Sequence, residues 1–188
     1  MEIDVIKVGG SLFSDSCLTT KLASFLNKLH SDVKVIVSGG GAKVRNYEKI
    51  NPEPNSEKEH WDCIKIMTLN AQKIVEALMP PAKMTDGLPI SPGIFFLDAY
   101  LFCKNDTDSK HKPVLPCSRS VRSDTISLRY AIKIKASRLW LLKSCTIERE
   151  ITWLEASKAG LVDDFFGEII KNKPDQLKIN WMNFLSLS

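Results

Sequence analysis

Long apolar runs are missing from this chain. Nowhere in its 188 residues do the ~20 consecutive apolar positions that span a bilayer occur, which excludes an integral membrane protein. A secretory leader is missing too. The start, Met1 to Phe13, carries acids at Glu2 and Asp4 and turns glycine-rich by Gly9, whereas a leader needs a basic start, an apolar core and a small-residue cleavage site. The five cysteines (Cys17, Cys63, Cys103, Cys117 and Cys145) show no CxxC spacing and leave one thiol over. That excludes a disulfide framework and reads as reduced thiols in a cytoplasm. Histidine is scarce. His30, His60 and His111 do not cluster with the cysteines, so no metal-ligand set is expected. Neither the Gly-x4-Gly-Lys-Ser/Thr phosphate loop nor the GxGxxG dinucleotide pattern occurs. Internal repeats and low-complexity tracts are also absent.

What is present is an ordinary globular balance of 44% hydrophobic and 26% charged residues, enough for one domain. A domain of this size buries roughly 70% of its unfolded surface without staples. Net charge is +4, with basic groups spread along the chain apart from a mild excess between Lys104 and Lys143. That balance suits a small anionic ligand. Without a binding motif or an aromatic-plus-basic platform, a nucleic-acid partner is not expected.

The hydrophobic periodicity alternates strand and helix. Ile3 to Val8 is β-rich, Leu18 to Leu29 places Leu18, Leu22, Phe25, Leu26 and Leu29 on one helical face, and Val33 to Val37 is a β-branched run for a buried strand. Such a unit implies a right-handed crossover and a parallel pair. Residues 51–59 read as a loop, and a long helix is expected over about 57–79, closed by Pro80 and Pro81. Further strands are expected at Gly93–Leu97, Val114–Leu115, Arg138–Leu142 and Leu177–Trp181. Residues 105–112 read as an exposed excursion. Helices are expected at 123–135, capped by Ser123 or Asp124, and at 149–158 and 164–171. The fold class is therefore α/β, a three-layer α/β/α sandwich with a mainly parallel sheet.

Two glycine-rich turns carry most of the chemical information: Lys7-Val-Gly9-Gly10-Ser11 and Ser38-Gly39-Gly40-Gly41-Ala42. Glycines directly after a strand let backbone N–H groups approach a ligand, and a helix starting there adds its positive end, which suits phosphate. Both turns fall at the carboxyl edge of the sheet, where ligands bind. Lys7 would add an ammonium at the same edge, and Lys143, ending a buried strand, is either a second one or a solvated strand end. Ser123-Asp124-Thr125 is either a cap or a carboxylate that orients lysines, which is what phosphoryl transfer needs. His60 is a cap or a substrate contact. Lys43 and Arg45 hold an anionic acceptor or coat a helix. Asp98 belongs to the site only if it faces the cleft, and Arg119 and Arg122 could meet a second anionic group.

Taken in this order, KVGGSL, VIVSGGGAKV and SDTISLRYAIKIKASRLWLLKS resemble the amino acid kinase superfamily, over most of the chain. His60-Trp61, Leu97-Asp98, Leu115-Pro116, Leu141-Leu142-Lys143-Ser144 and Gly160-Leu161-Val162-Asp163 are similar to a small branch related to the methanofuran-pathway kinase of one-carbon metabolism. The resemblance implies transfer from ATP, with Mg²⁺ carried on the nucleotide, to a small phosphate- or carboxylate-bearing acceptor. It implies that Lys7, Gly9, Gly10 and Ser11 hold the transferring group and that Asp124 orients Lys7 and Lys143. Ser123, Thr125 and Ser144 would lie on the nucleotide side, and Gly39, Gly40, Gly41, Arg45, His60 and Asp98 on the acceptor side. It also implies a homodimer or larger homo-oligomer, to which Trp140, Trp153 and Trp181 could contribute. Residues of about 1–122 would form the acceptor part and 123–188 a shortened nucleotide part. Many relatives continue after the later strand with Thr-Asp-x-x-Gly-Val, where this chain reads Lys143-Ser-Cys-Thr-Ile-Glu148. Either Lys143 completes a compact nucleotide site, or ATP binding is weakened and the chain is a non-catalytic binding or assembly subunit. A close branch retains a tryptophan before the Ser-Asp pair where this chain has Arg119-Ser120-Val121-Arg122, which leaves the acceptor open.

Overall fold

β-Branched runs and glycine stops divide the chain into short strands and connecting helices, and a computed structural model describes residues 1–54, 56–78, 81–106, 112–147 and 150–186. The strands are β1 (Ile3–Val8), β2 (Val33–Ser38), β3 (Lys83–Thr85), β4 (Gly93–Leu97), β5 (Arg138–Lys143) and β6 (Lys178–Asn183). They form one sheet of order β3-β4-β2-β1-β5-β6, and every pairing is parallel. The helices are α1 (Leu18–Asn27), α2 (Gly41–Ile50), α3 (Glu57–Ala77), α4 (Ala99–Asn105), α5 (Ser123–Lys133), α6 (Trp153–Lys158) and α7 (Phe166–Ile169).

Strand alternation sends successive side chains to opposite faces. Ile3 and Val5 of β1 join Val33, Val35 and Val37 of β2 against α5, α7 and the start of α3. Ile6 and Val8 join Ile36 against α1 and the end of α3. All six residues of β1 are buried, as a strand covered on both faces requires. On α1, Leu18, Leu22, Phe25 and Leu26 are buried at helical spacing, each worth roughly 1.5–3 kcal/mol of transfer energy. The result is the three-layer α/β/α sandwich the periodicity predicts, with a sheet that is entirely parallel among the described residues.

Several local expectations change. Val114 and Leu115 form no strand, because Pro113 and Pro116 beside them lack the N–H groups a ladder needs. Two elements carry no clear sequence signal, the three-residue β3 and α4. The helix expected from residue 149 begins at Trp153, since Thr152 and Glu155 form a reciprocal capping box there; residue 149 lies outside the described residues. The expected 164–171 helix is shorter, with α7 passing into a 3-10 turn at Ile170–Asn172. The long helix α3 ends at Ala77, and Met79 and Pro80 lie outside the described residues. Most of the expected excursion, 107–111, also does, but Asp106 beside it is buried in ion pairs with Arg129 and Lys133. Trp140 and Trp153 pack on Phe25 and Phe166 within the fold.

Candidate active site

Parallel register sets the site. Val8 pairs with Ser38 on one side and Leu142 on the other, so Lys7, both glycine turns and Lys143 reach the same sheet edge. Lys7 is 4% exposed, and a buried ammonium requires a partner. Its Nζ lies 2.7 Å from Asp124 Oδ1 at the start of α5. Lys143 Nζ donates to Asp124 Oδ2 at 2.8 Å and to the Leu161 carbonyl at 2.7 Å, with the Trp181 ring 5.3 Å away. Burial alone would raise the Asp124 carboxyl, but the Lys7 and Lys143 charges hold it below the usual carboxylate range. Burial, and then the charge of Lys7, pull the Lys143 ammonium down. Two ammoniums share one carboxylate, so the trio carries an excess positive charge at the cleft floor.

The glycine turns lie against one another, backbone to backbone. A Cβ on Gly10 would stand 2.5 Å from the Gly41 nitrogen, and one on Gly39 would stand 2.5 Å from the Gly10 nitrogen. Only glycine permits this approach. Gly41 also adopts φ +62°, the left-handed region. The first turn opens a 3-10 turn, Gly10–Ser14, rather than the α-helix suited to phosphate binding; the second opens α2 directly. Ser11 Oγ and Ser144 Oγ are 2.8 Å apart, tying the first turn to the end of β5.

Neither Ser123 nor Asp124 caps α5. Arg122 occupies the cap position without a side-chain bond, which frees Asp124 for the lysines. The capping role falls to Asp163 from a distant loop. Its Oδ2 accepts the Thr125 N–H at 2.9 Å and the Arg122 N–H at 3.2 Å. Burial and the neighbouring Asp124 charge push the Asp163 carboxyl up to about 7. Thr125 is fully buried, so its contribution to this edge is its backbone N–H rather than its hydroxyl.

Beyond the lysines, a cleft of about 310 Å³ extends between α2, α3 and residues 118–124. His60, Cys63, Ile64 and Met67 line it from one face of α3. His60 Nδ1 lies 3.1 Å from the Ser118 carbonyl. A carbonyl only accepts, so Nδ1 carries the proton and the neutral ring leaves Nε2 as an acceptor. Burial pulls the His60 value down despite that bond. The Cys63 thiol is pushed up to about 11 by burial and stays neutral. Arg119 donates to both carboxylate oxygens of Glu59, one at 2.9 Å, and Arg122 pairs with Glu48 at 2.7 Å. Both arginines are thus already engaged by acids, while Arg45 lines the cleft without an ion-pair partner among the described residues.

Of the residues picked from sequence, Lys7, Gly9, Gly10, Ser11, Gly40, Gly41, Arg45, His60, Ser123, Asp124 and Lys143 line this one cleft. Gly39 sits behind its turn, and Ser144 reaches the site through Ser11. Asp98 does not face the cleft. Its carboxylate caps α4 at the Leu101 N–H, 3.0 Å, and accepts from Thr68 at 3.1 Å. Sequence reasoning missed roles for Glu48, Glu59, Asp163 and Asn70. Asn70 alone had a usable signal, as a polar residue in the apolar α3 stripe of Ile64, Met67, Ala71 and Ile74. Among the described residues no cluster of three His, Cys, Asp or Glu could hold a metal, and no helix is long and apolar enough to cross a membrane.

The sequence profile of the amino acid kinase family matches residues 2–145. The chain belongs to the amino acid kinase family. The match contains both glycine turns, Asp124 and Lys143. A comparison with curated protein sequences finds no match. UMP kinase from Bacillus anthracis superposes with a TM-score of 0.65 at 11% identity, covering 98% of this chain and 88% of that one. Uridylate kinase from Archaeoglobus fulgidus gives 0.57 at 16% identity, covering 97% and 90%. Aspartate kinase from Synechocystis gives 0.52 at 16%, covering 96% of this chain and 38% of the other. At these identities the likeness is one of fold, and the amino acid kinase architecture spans nearly the whole chain.

Proposed function

We propose that this amino acid kinase family member is an ATP-dependent phosphotransferase acting on a small phosphate- or carboxylate-bearing acceptor. The observation that carries this reading is the Lys7–Asp124–Lys143 trio at the cleft floor, two buried ammoniums aligned by one carboxylate. Phosphoryl transfer is largely positioning and charge stabilisation, and ammoniums fixed before substrate arrives stabilise developing charge without reorganisation. The donor set suits phosphate oxygens: lysines from below and the first N–H groups of the glycine-turn helix, which have no partner inside their own helix. When bound, ATP supplies the transferable phosphoryl group and its Mg²⁺ neutralises phosphate charge. The Asp163 carboxylate, which has no ion-pair partner among the described residues, is the cleft group suited to such a cation. No general base is required if the acceptor is already an anion.

The finer reading is a furan-type methyl phosphate acceptor from methanofuran-linked one-carbon cofactor synthesis, supported by the likeness around His60-Trp61 and Leu141 to Ser144. A cytoplasmic homodimer or larger homo-oligomer goes with it. Purified protein with Mg-ATP should release ADP with one member of a panel comprising furan methyl phosphates, UMP and aspartate, and Lys7→Ala should abolish it. Equal background turnover in wild type and Lys7→Ala would sink the kinase reading. A second reading, a non-catalytic binding subunit, is favoured by the missing glycine loop after Lys143. Calorimetry with a nonhydrolysable ATP analogue separates the two, since no binding at millimolar nucleotide leaves only the second.

A further inference from the structure

Three consecutive glycines form the backbone least able to hold its own shape, because glycine populates both signs of φ at little cost. Something outside the turn must fix Gly39, Gly40 and Gly41. On one side this is the Gly10 backbone. On the other it is Asn70, three helical turns beyond His60 and 6% exposed. Its Nδ2 donates to the Gly39 carbonyl at 3.0 Å and to the Gly40 carbonyl at 3.0 Å. Both amide hydrogens of the side chain are therefore spent on adjacent peptide units. Asn70 also sits where an apolar residue would pack without the cost of burying an amide.

In a trans peptide the C=O and the following N–H point in opposite directions. Drawing the Gly39 carbonyl toward α3 turns the Gly40 N–H away from α3, and drawing the Gly40 carbonyl turns the Gly41 N–H the same way. Gly40 and Gly41 line the cleft, whereas Asn70 does not. The Gly40 carbonyl also accepts the Val44 N–H at 3.5 Å, the first hydrogen bond of α2, so the same clamp sets the helix start.

We infer that Asn70 is a positioning residue for the transfer reaction, holding two peptide units so that the Gly40 and Gly41 N–H groups form a preorganised anion cradle. This rests on the phosphotransfer reading above. Without Asn70 the two peptides are free to rotate, and an anion must then organise its own donors. Losing one preorganised donor typically costs about 10²–10³-fold in turnover, and loosening two should fall in that range. The effect should appear mainly in kcat, with a smaller change in KM for ATP.

The test uses protein labelled with ¹⁵N-glycine, as wild type, Asn70→Ala and Asn70→Ser. Without ligand, the Gly39–Gly41 amides should show rigid order parameters of about 0.85 in wild type and values nearer 0.6 in Asn70→Ala. Asn70→Ser, with one hydroxyl donor in place of two amide hydrogens, should be intermediate. Pyrophosphate titration should shift the Gly40 and Gly41 resonances in wild type, with at least about tenfold weaker affinity in Asn70→Ala. Unchanged order parameters together with unchanged pyrophosphate affinity in both variants overturn the assignment, and Asn70→Ser supplies the comparison if Asn70→Ala fails to fold. Rigid wild-type glycines with no affinity for pyrophosphate or an ATP analogue would instead overturn the phosphotransfer reading, and with it the cradle.

Discussion

Lys7 and Lys143 differ in what holds them. Among the described residues Lys7 has Asp124 alone within ion-pair reach, whereas Lys143 is also bonded to the Leu161 carbonyl and covered by Trp181. Asp124→Ala should therefore be the more damaging change to the fold, because it strands two buried ammoniums. Breaking a buried pair this way costs about 3–5 kcal/mol, readable as a lower midpoint in urea. Lys7→Met should keep most of the stability while lowering turnover by about 10²–10³-fold, since the lost charge acts mainly on the transferring group. Comparable stability losses in both variants would contradict this division.

Asp163 gives a pH signature of its own. Its folded value, about 7, lies above the ordinary aspartate value of 3.8, so the folded state keeps the proton longer. An acid shifted upward makes stability fall as pH rises between those values. Asp163→Asn retains an oxygen for the Arg122 and Thr125 N–H groups and removes the titration. Melting curves from pH 4.5 to 8 should show wild type losing stability relative to Asp163→Asn as pH rises. Asp124 works in the opposite sense: its contribution is complete above the ordinary aspartate value and is lost as pH falls through its lower folded one. A constant gap between wild type and Asp163→Asn across the range would refute the role given to Asp163.

At the scale of elements, the interlocked glycine turns are the most sensitive feature. Gly10→Ala places a methyl group 2.5 Å from the Gly41 backbone nitrogen, where no flexible side chain can yield. Such overpacking typically costs about 1–3 kcal/mol and should lower the melting temperature by several degrees. It should also abolish turnover, because both turns shift together. Most elements were legible in the sequence where one period dominated, as in β1, α1, β2 and β5. Elements set by tertiary context were not: β3 is three residues beside a loop, and Val114–Leu115 looks β-rich but is flanked by prolines. Within the site, Lys7, the glycines and Asp124 were legible because glycine and charge at a strand end have few cheap explanations. Asp98 was misleading because capping and catalysis ask for the same side chain, and only the direction of its strand end separates them. Asp163 was invisible as a cap, since it lies 38 residues in sequence from Thr125, whose N–H it accepts.

For the whole molecule, the sheet order sets the two halves of the site. α2 and α3 bring His60 and Arg45 from one side of β1, and β5 with the loop after α6 brings Lys143 and Asp163 from the other. A ligand seated across that line binds only the folded arrangement. Mg-ATP at about 100 times its Kd should add about 2.7 kcal/mol of stability, visible as a thermal shift. Lys7→Ala should lose most of that shift; a full shift in the variant would place the nucleotide elsewhere.

Because the backbones of Gly10, Gly39 and Gly41 meet with no side chain between them, the tips of β1 and β2 behave as one rigid jaw. If the cleft opens to admit substrate and release product, it cannot part along that seam. The β5 side is closed in the same way, since the Gly9 N–H donates to the Leu142 carbonyl at 2.9 Å and a Cβ on Gly9 would stand 2.8 Å from that oxygen. Lys143 therefore belongs to the same fixed jaw as Lys7, and an arriving anion meets both ammoniums already in place.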